Sequence, residues 1–232
     1  MLAIVAAVLV WCTLLGVLLG GDPLLAVEIG GLSLAIAWAA LLSRDLLHSR
    51  RLGRDLAIEA EEVSLHGVPC RLTDALGTEA IVVGALRPRI YLGRAMCAAL
   101  SSEEIRAVVY HEDHHRRTRA PMRAAALEAW IRLLGGATVA RRFLVGRLAD
   151  LETLADADAI QRGSSATSLA RALLKGDVAR EQVSFAYVAQ QRVERLLEST
   201  AGAPLEAPRR LPYEWLLVLL LAVTVAVCHA VL

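Results

Sequence analysis

The segment HEDHH, at residues 111–115, places three histidines and a glutamate within five positions. His111 and His115 are four residues apart, so on a helix they lie on one face and both imidazoles can reach the same metal ion. Glu112 comes directly after His111, where its carboxylate can take a proton from a water molecule bound to that ion. His114 lies outside this register. The spacing H-E-x-x-H on a helix is typical of zinc hydrolases.

A second interpretation of the same segment is the polar face of an ordinary helix. Three arginines follow the motif directly, namely Arg116, Arg117 and Arg119. Tyr110 and these arginines could also assist an oxyanion or hold a substrate. Such residues more often pack or form a basic face, and we favour that role for them.

A catalytic zinc ion needs a third protein ligand and an open fourth position. In the segment ETLAD and its continuation, Glu152, Ala155, Asp156 and Ala159 follow the spacing i, i+3, i+4 and i+7, so they share one face of a helix. Glu152 is the predicted third ligand. Asp156, one turn later, is predicted to accept a hydrogen bond from the non-coordinating nitrogen of a ligand histidine. By register alone, two other carboxylates remain alternatives to Glu152, namely Asp150 and Asp158.

The elements that must position these residues are a small sheet followed by helices. Short apolar runs at residues 70–74, 79–84 and 89–93 predict strands, because Gly and Pro punctuate them. Ser101 and Glu104 form a capping box, which predicts a helix that starts there and ends before Pro121. A further helix is predicted over residues 144–162. The expected fold is mainly α with a small β-sheet.

Three long apolar runs predict a membrane protein. Residues 1–20, 24–42 and 215–232 are each close to the length that crosses a bilayer as a helix, and arginines lie on the inner side of the last two. We therefore expect three transmembrane helices and contact with the lipid bilayer. The predicted organisation is a transmembrane hairpin at 1–43, a cytoplasmic domain at 44–208 and a C-terminal transmembrane helix at 209–232. The net charge of +1 indicates no direct binding to nucleic acid.

The segments VVYHEDHH and ETLADADA resemble the integral-membrane zinc peptidases of the BlaR/MecR antirepressor type and, more distantly, HtpX-like and CAAX prenyl proteases. GALRPRIYLG upstream and RVERLL at 192–197 are similar to that type too, so the resemblance covers about residues 72–197. In these families the H-E-x-x-H motif acts with a glutamate in E-x-x-x-D. The resemblance thus implies a zincin-like α+β domain with the following site residues: His111, Glu112, His115, Glu152 and Asp156.

The resemblance also implies a function, with one departure from the family. It implies a zinc-dependent endopeptidase, anchored in the cell membrane by several passes, that cleaves a cytoplasmic protein such as a transcriptional repressor. The Ser-x-x-Lys nucleophile of the β-lactam sensor is missing, because Lys175 is the only lysine and no serine stands three residues before it. Two alternatives stay open. One is a quality-control protease of the HtpX-like group. The other is a non-catalytic, zinc-stabilised signalling protein, which has no need of a base such as Glu112.

A substrate-binding element can also be predicted by analogy with related zinc proteases. The strand around residues 89–92 is expected to form a sheet edge on which an extended peptide lies by strand addition.

Overall fold

The computed structural model describes residues 23–134, 138–177 and Leu196. Most of these residues belong to one compact unit of the chain, 38–207, while residues 23–37 belong to a different unit. In chain order, the described elements are α1 (Pro23–Ile58), β1 (Glu61–Leu65), β2 (Val68–Thr73), β3 (Ala80–Val83), β4 (Arg89–Gly93), α2 (Arg94–Ala99), α3 (Ser102–Thr118), α4 (Ala120–Leu133), α5 (Thr138–Gln161) and α6 (Ala166–Asp177).

The four strands form one mixed sheet in the order β1-β2-β4-β3. The outer pairs β1–β2 and β3–β4 are antiparallel, and the central pair β2–β4 is parallel. Three strands occupy the runs predicted from the sequence. The fourth, β1, was not predicted. It is joined to β2 by a two-residue turn at His66 and Gly67, whose φ angles of 50° and 79° are those of a type I′ hairpin.

The expectation that residues 89–92 form a sheet edge was wrong. These residues belong to β4, whose register pairs Ile90 with Cys70 of β2 on one side and with Val82 of β3 on the other. The backbone groups of β4 are therefore used within the sheet. Among the described strands, β3 is the outer one on this side.

The helix that carries HEDHH starts at the predicted capping box. The Ser101 hydroxyl accepts a hydrogen bond from the backbone N–H of Glu104 at 3.3 Å, and the Glu104 carboxylate accepts one from the backbone N–H of Ser101 at 2.8 Å. The helix ends where Arg119 takes the left-handed conformation, with φ of 53°. This break precedes Pro121, so the predicted start and end of the helix are both confirmed.

Helix α3 is central to the packing of this unit. It contacts β2, β3 and β4 of the sheet and also packs against α5 and α6. Val109 of α3 is buried with Ile90 and Leu92 of the sheet, whereas Ala107 of α3 is buried with Ala159 of α5. A helix that is covered on two sides holds its side chains in fixed directions.

Helix α1 is attached to both the sheet and α4. The Tyr91 hydroxyl donates a hydrogen bond to the Gly53 carbonyl at 3.2 Å. The Trp38 ring stacks on that of Trp130 at 5.7 Å, and its indole N–H donates to the Ala126 carbonyl at 3.2 Å. The second half of α1 is therefore part of the same packed unit.

The prediction of three transmembrane helices was wrong on the evidence of the described residues, where no helix is both long and apolar enough to cross a membrane. The runs 1–20 and 215–232 lie outside the described residues. The run 24–42 falls in α1, which continues without a break into Arg44, Asp45 and His48. The helix therefore does not end where the apolar run ends. The multi-pass membrane localisation, which depended on these helices, is contradicted too. The predicted limits of the central domain, 44–208, stay a prediction.

Candidate metal centre

Three side chains from two helices converge at one point. Nε2 of His111 and Nε2 of His115 are 2.9 Å apart. Oε2 of Glu152 is 3.4 Å from the first nitrogen, and its Oε1 is 3.4 Å from the second. The ligand atoms of all three residues lie within 4.8 Å of one another, so they form a group that could hold a metal ion.

The donor set also fits a cation chemically. Imidazole nitrogens and carboxylate oxygens are the atoms that zinc binds in proteins, and a cation between these three side chains would contact all of them. Around a tetrahedral zinc ion with bonds of about 2.0–2.2 Å, neighbouring ligand atoms lie about 3.3–3.6 Å apart. The two distances from Glu152 to the histidines match that range, and the distance between the two imidazole nitrogens is somewhat shorter.

The regular geometry of the two helices explains this convergence. His111 and His115 are one turn apart on α3, are both buried, and have their ring centroids 4.6 Å apart. Ala155 and Ala159 of α5 are 0% exposed. Because they are small, they let α5 come close enough to α3 for the half-buried Glu152 side chain to reach both imidazoles.

Asp156 orients one of the two imidazoles. Its Oδ1 lies 2.9 Å from Nδ1 of His111, and its carboxylate is almost fully buried. A hydrogen bond from Nδ1–H to this carboxylate leaves Nε2 unprotonated and aims its lone pair at the ligand cluster. The other histidine differs, because Nδ1 of His115 is buried without a hydrogen-bond partner among the described residues.

Glu112 stands beside the cluster. It follows His111 on α3, which puts it about 100° around the helix from that residue and about 60° from His115. Its side chain is only partly buried. Glu112 is therefore a neighbour of both histidines on the helix surface and is partly accessible to solvent.

The two alternative carboxylates on α5 are engaged elsewhere. Asp150 is bound by Arg147 at 3.1 Å. Asp158 is bound by Arg117 at 2.5 Å and lies 3.5 Å from Nδ1 of His114. Neither belongs to the group that could hold a metal ion. Burial lowers the pKa of His114, although the Asp158 carboxylate opposes the shift.

Two of the three arginines after the motif are bound to a residue that sequence reasoning missed. Asp113, the third residue of HEDHH, accepts hydrogen bonds from Arg116 at 2.9 Å and from Arg117 at 3.2 Å. It accepts another at 2.7 Å from Arg162, at the end of α5. Burial alone would raise the pKa of Asp113, but the bonds from Arg116 and Arg162 outweigh it, so the pKa lies below its ordinary value. The i+3 and i+4 spacing of the first two arginines was a visible signal.

Tyr110 lies against Arg162 as well. The guanidinium of Arg162 is 4.1 Å from the centroid of the Tyr110 ring, and the His66 ring meets the same tyrosine edge-on at 6.5 Å. These contacts agree with a packing role for Tyr110.

Comparison of the chain with family models, with curated proteins and with solved structures found no match. The resemblance to antirepressor peptidases thus stays a prediction.

Proposed function

We propose that the protein is a zinc-dependent endopeptidase. The observation that carries this proposal is the convergence of His111, His115 and Glu152, with Glu112 directly beside them on α3. Two histidines and one glutamate are a ligand set of catalytic zinc in proteases, in which the fourth position is left to water. A purely structural zinc site has four protein ligands and no need of an adjacent base.

The metal would be held by His111, His115 and Glu152. Zinc held by these residues would supply a Lewis acid, which would lower the pKa of water towards about 7 and polarise the scissile carbonyl. The Glu112 carboxylate takes the proton of the attacking water and passes it to the nitrogen of the leaving amine. Asp156 keeps the proton on Nδ1 of His111, so that the imidazole presents Nε2 throughout.

The substrate class we propose is a protein in extended conformation. Helix α3 contacts β3, the outer strand of the described sheet on this side. A peptide that adds to β3 as a further strand would run close to α3, with main-chain hydrogen bonds that do not depend on its sequence. The resemblance to antirepressor peptidases suggests a repressor protein as the natural substrate.

The proposal is tested with purified protein by zinc content and by cleavage of casein. We expect about one zinc ion per chain and zinc-dependent cleavage. Glu112→Gln should keep the zinc ion and lower the cleavage rate by about 10²–10⁴-fold, as expected for loss of a general base. Glu103→Gln is the matched control, since Glu103 is an exposed carboxylate at the other end of α3.

Three results would contradict the proposal. Equal cleavage by the wild type and Glu112→Gln would remove Glu112 from the mechanism. Zinc binding without any cleavage would favour a non-catalytic, zinc-stabilised protein. A wild-type protein that binds no zinc would overturn the proposal as a whole.

A further inference from the structure

Helices α3 and α5 meet through small side chains. Ala107 of α3 and Ala159 of α5 are both fully buried and lie in the same cluster, and Ala155 is buried one turn before Ala159. Alanines allow a close approach, but they do not form the large ridges and grooves that lock two helices in one orientation. The rotation of α5 relative to α3 therefore depends strongly on residues at the margins of this contact.

The metal ligands lie at one margin of the contact. On an α-helix, two residues correspond to a rotation of about 200°, so Asp113 points well away from both His111 and His115. On α5, Asp158 and Asp156 are also two residues apart, so their side chains leave the helix in nearly opposite directions. The alanines thus separate two polar groups, with the metal ligands on one side and Asp113 and Asp158 on the other.

The second group is a closed set of ion pairs, which we call the ion-pair ring. It consists of Asp113 and Arg117 on α3 and of Asp158 and Arg162 at the end of α5. Arg162 donates to Asp113 at 2.7 Å, and Arg117 donates to Asp158 at 2.5 Å, so two contacts cross between the helices. The ring closes within each helix through Arg117 to Asp113 at 3.2 Å and Arg162 to Asp158 at 3.9 Å.

The geometry of the ring favours a mechanical role. Asp113 is almost fully buried, so its charge has to keep its cationic partners. Arg162 also covers the ring of Tyr110 on α3, which adds a third contact across the two helices. Because these contacts lie on the side opposite the metal ligands, they resist rotation of α5 about its own axis.

We propose that the ion-pair ring is a positioning device for the metal centre, which fixes the rotation of α5 and with it the direction of Glu152 and Asp156. This inference rests on the metal centre of the proposed function. At a distance of about 5–6 Å from the helix axis, a rotation of 10° moves a side-chain group by about 1 Å. Metal–ligand distances tolerate only about 0.2 Å. A small roll of α5 is therefore enough to remove Glu152 from the coordination sphere.

The chain provides a matched pair of variants for the test. Arg162→Gln removes a bond to Asp113 that crosses from α5, whereas Arg116→Gln removes a bond to the same carboxylate from within α3. We measure the zinc Kd of each folded variant by competition with a chromophoric chelator. Arg162→Gln should raise the Kd several-fold, up to the roughly 10-fold that marks the lower end for loss of a residue bonded directly to a ligand, because it acts on Glu152 only through the rotation of α5. Arg116→Gln should leave it within about 2-fold of the wild type, and Arg162→Lys should lie between the two.

Thermal unfolding shows whether each variant is folded at the temperature of the zinc titration. Should Arg162→Gln not fold, Asp158→Asn breaks the other cross-helix contact, and the same rise in Kd is expected. Equal zinc Kd values for the cross-helix variant and Arg116→Gln would overturn the positioning role and leave the metal centre standing. A wild type that binds no zinc would overturn the proposed function together with this inference.

Discussion

The contact between Asp156 and His111 gives the sharpest prediction about the metal centre. Asp156→Ala removes a carboxylate 2.9 Å from Nδ1 of the imidazole, at a position only 3% exposed, where water has little room to replace it. The imidazole then loses both its fixed orientation and the negative charge that makes Nε2 a better ligand. Loss of such a partner weakens metal binding by about 10–100-fold, or about 1.4–2.7 kcal/mol.

A second substitution separates orientation from charge. Asp156→Asn keeps an oxygen that can accept from Nδ1–H but loses the charge, so the rise in zinc Kd should stay near the lower figure of about 10-fold. Asp150→Asn is the control, because Asp150 is an acidic residue of the same helix that is bound by Arg147.

The assay is zinc competition with a chromophoric chelator at constant pH, on protein shown to be folded by circular dichroism. The zinc Kd should be highest for Asp156→Ala, lower for Asp156→Asn, and lowest for the wild type and Asp150→Asn. A folded Asp156→Ala variant with the zinc affinity of the wild type would refute the reasoning, because the carboxylate would then have no part in orienting the ligand.

Two further predictions concern stability and reactivity. The hydrogen bond from Lys175 at 2.7 Å and that from the Ser101 backbone lower the pKa of Glu104. A carboxyl group whose pKa is lowered by folding stabilises the folded state at pH values above its unfolded pKa. It loses that contribution as the pH falls through its folded pKa. Lys175→Gln should therefore lower the free energy of unfolding by up to about 1 kcal/mol at pH 7 and by less at pH 3 in urea titrations, and equal losses at both pH values would contradict this. Burial raises the pKa of the Cys70 thiol to about 12, so iodoacetamide at pH 8 should modify Cys70 far more slowly in the native than in the unfolded protein. Equal rates by mass spectrometry would refute that reasoning.

The features that could be predicted from the sequence depend on residues close together in the chain. Ser101 and Glu104 are three residues apart, so their capping box and the start of α3 follow from local geometry. The shared face of His111 and His115 follows from the pitch of a helix in the same way. That Glu152 comes to the same point depends on how α5 crosses α3, which the sequence pattern indicates only through the alanines around it.

The features that escaped prediction depend on distant contacts. The position of β4 between β2 and β3 is decided by strand pairing, which short apolar runs do not specify. Asp113 has two arginines within one turn, but the partner that gives it a role across helices, Arg162, is 49 residues away. The apolar run at 24–42 was judged by its composition, while the helix that contains it continues into charged residues.

The most direct test of the metal centre is the position of zinc in crystals of the zinc-loaded protein, found by anomalous diffraction at the zinc absorption edge. We predict one strong peak about 2.0–2.2 Å from Nε2 of His111, Nε2 of His115 and a carboxylate oxygen of Glu152. A peak bound by other residues, or a Glu152 carboxylate turned away from the peak, would contradict this.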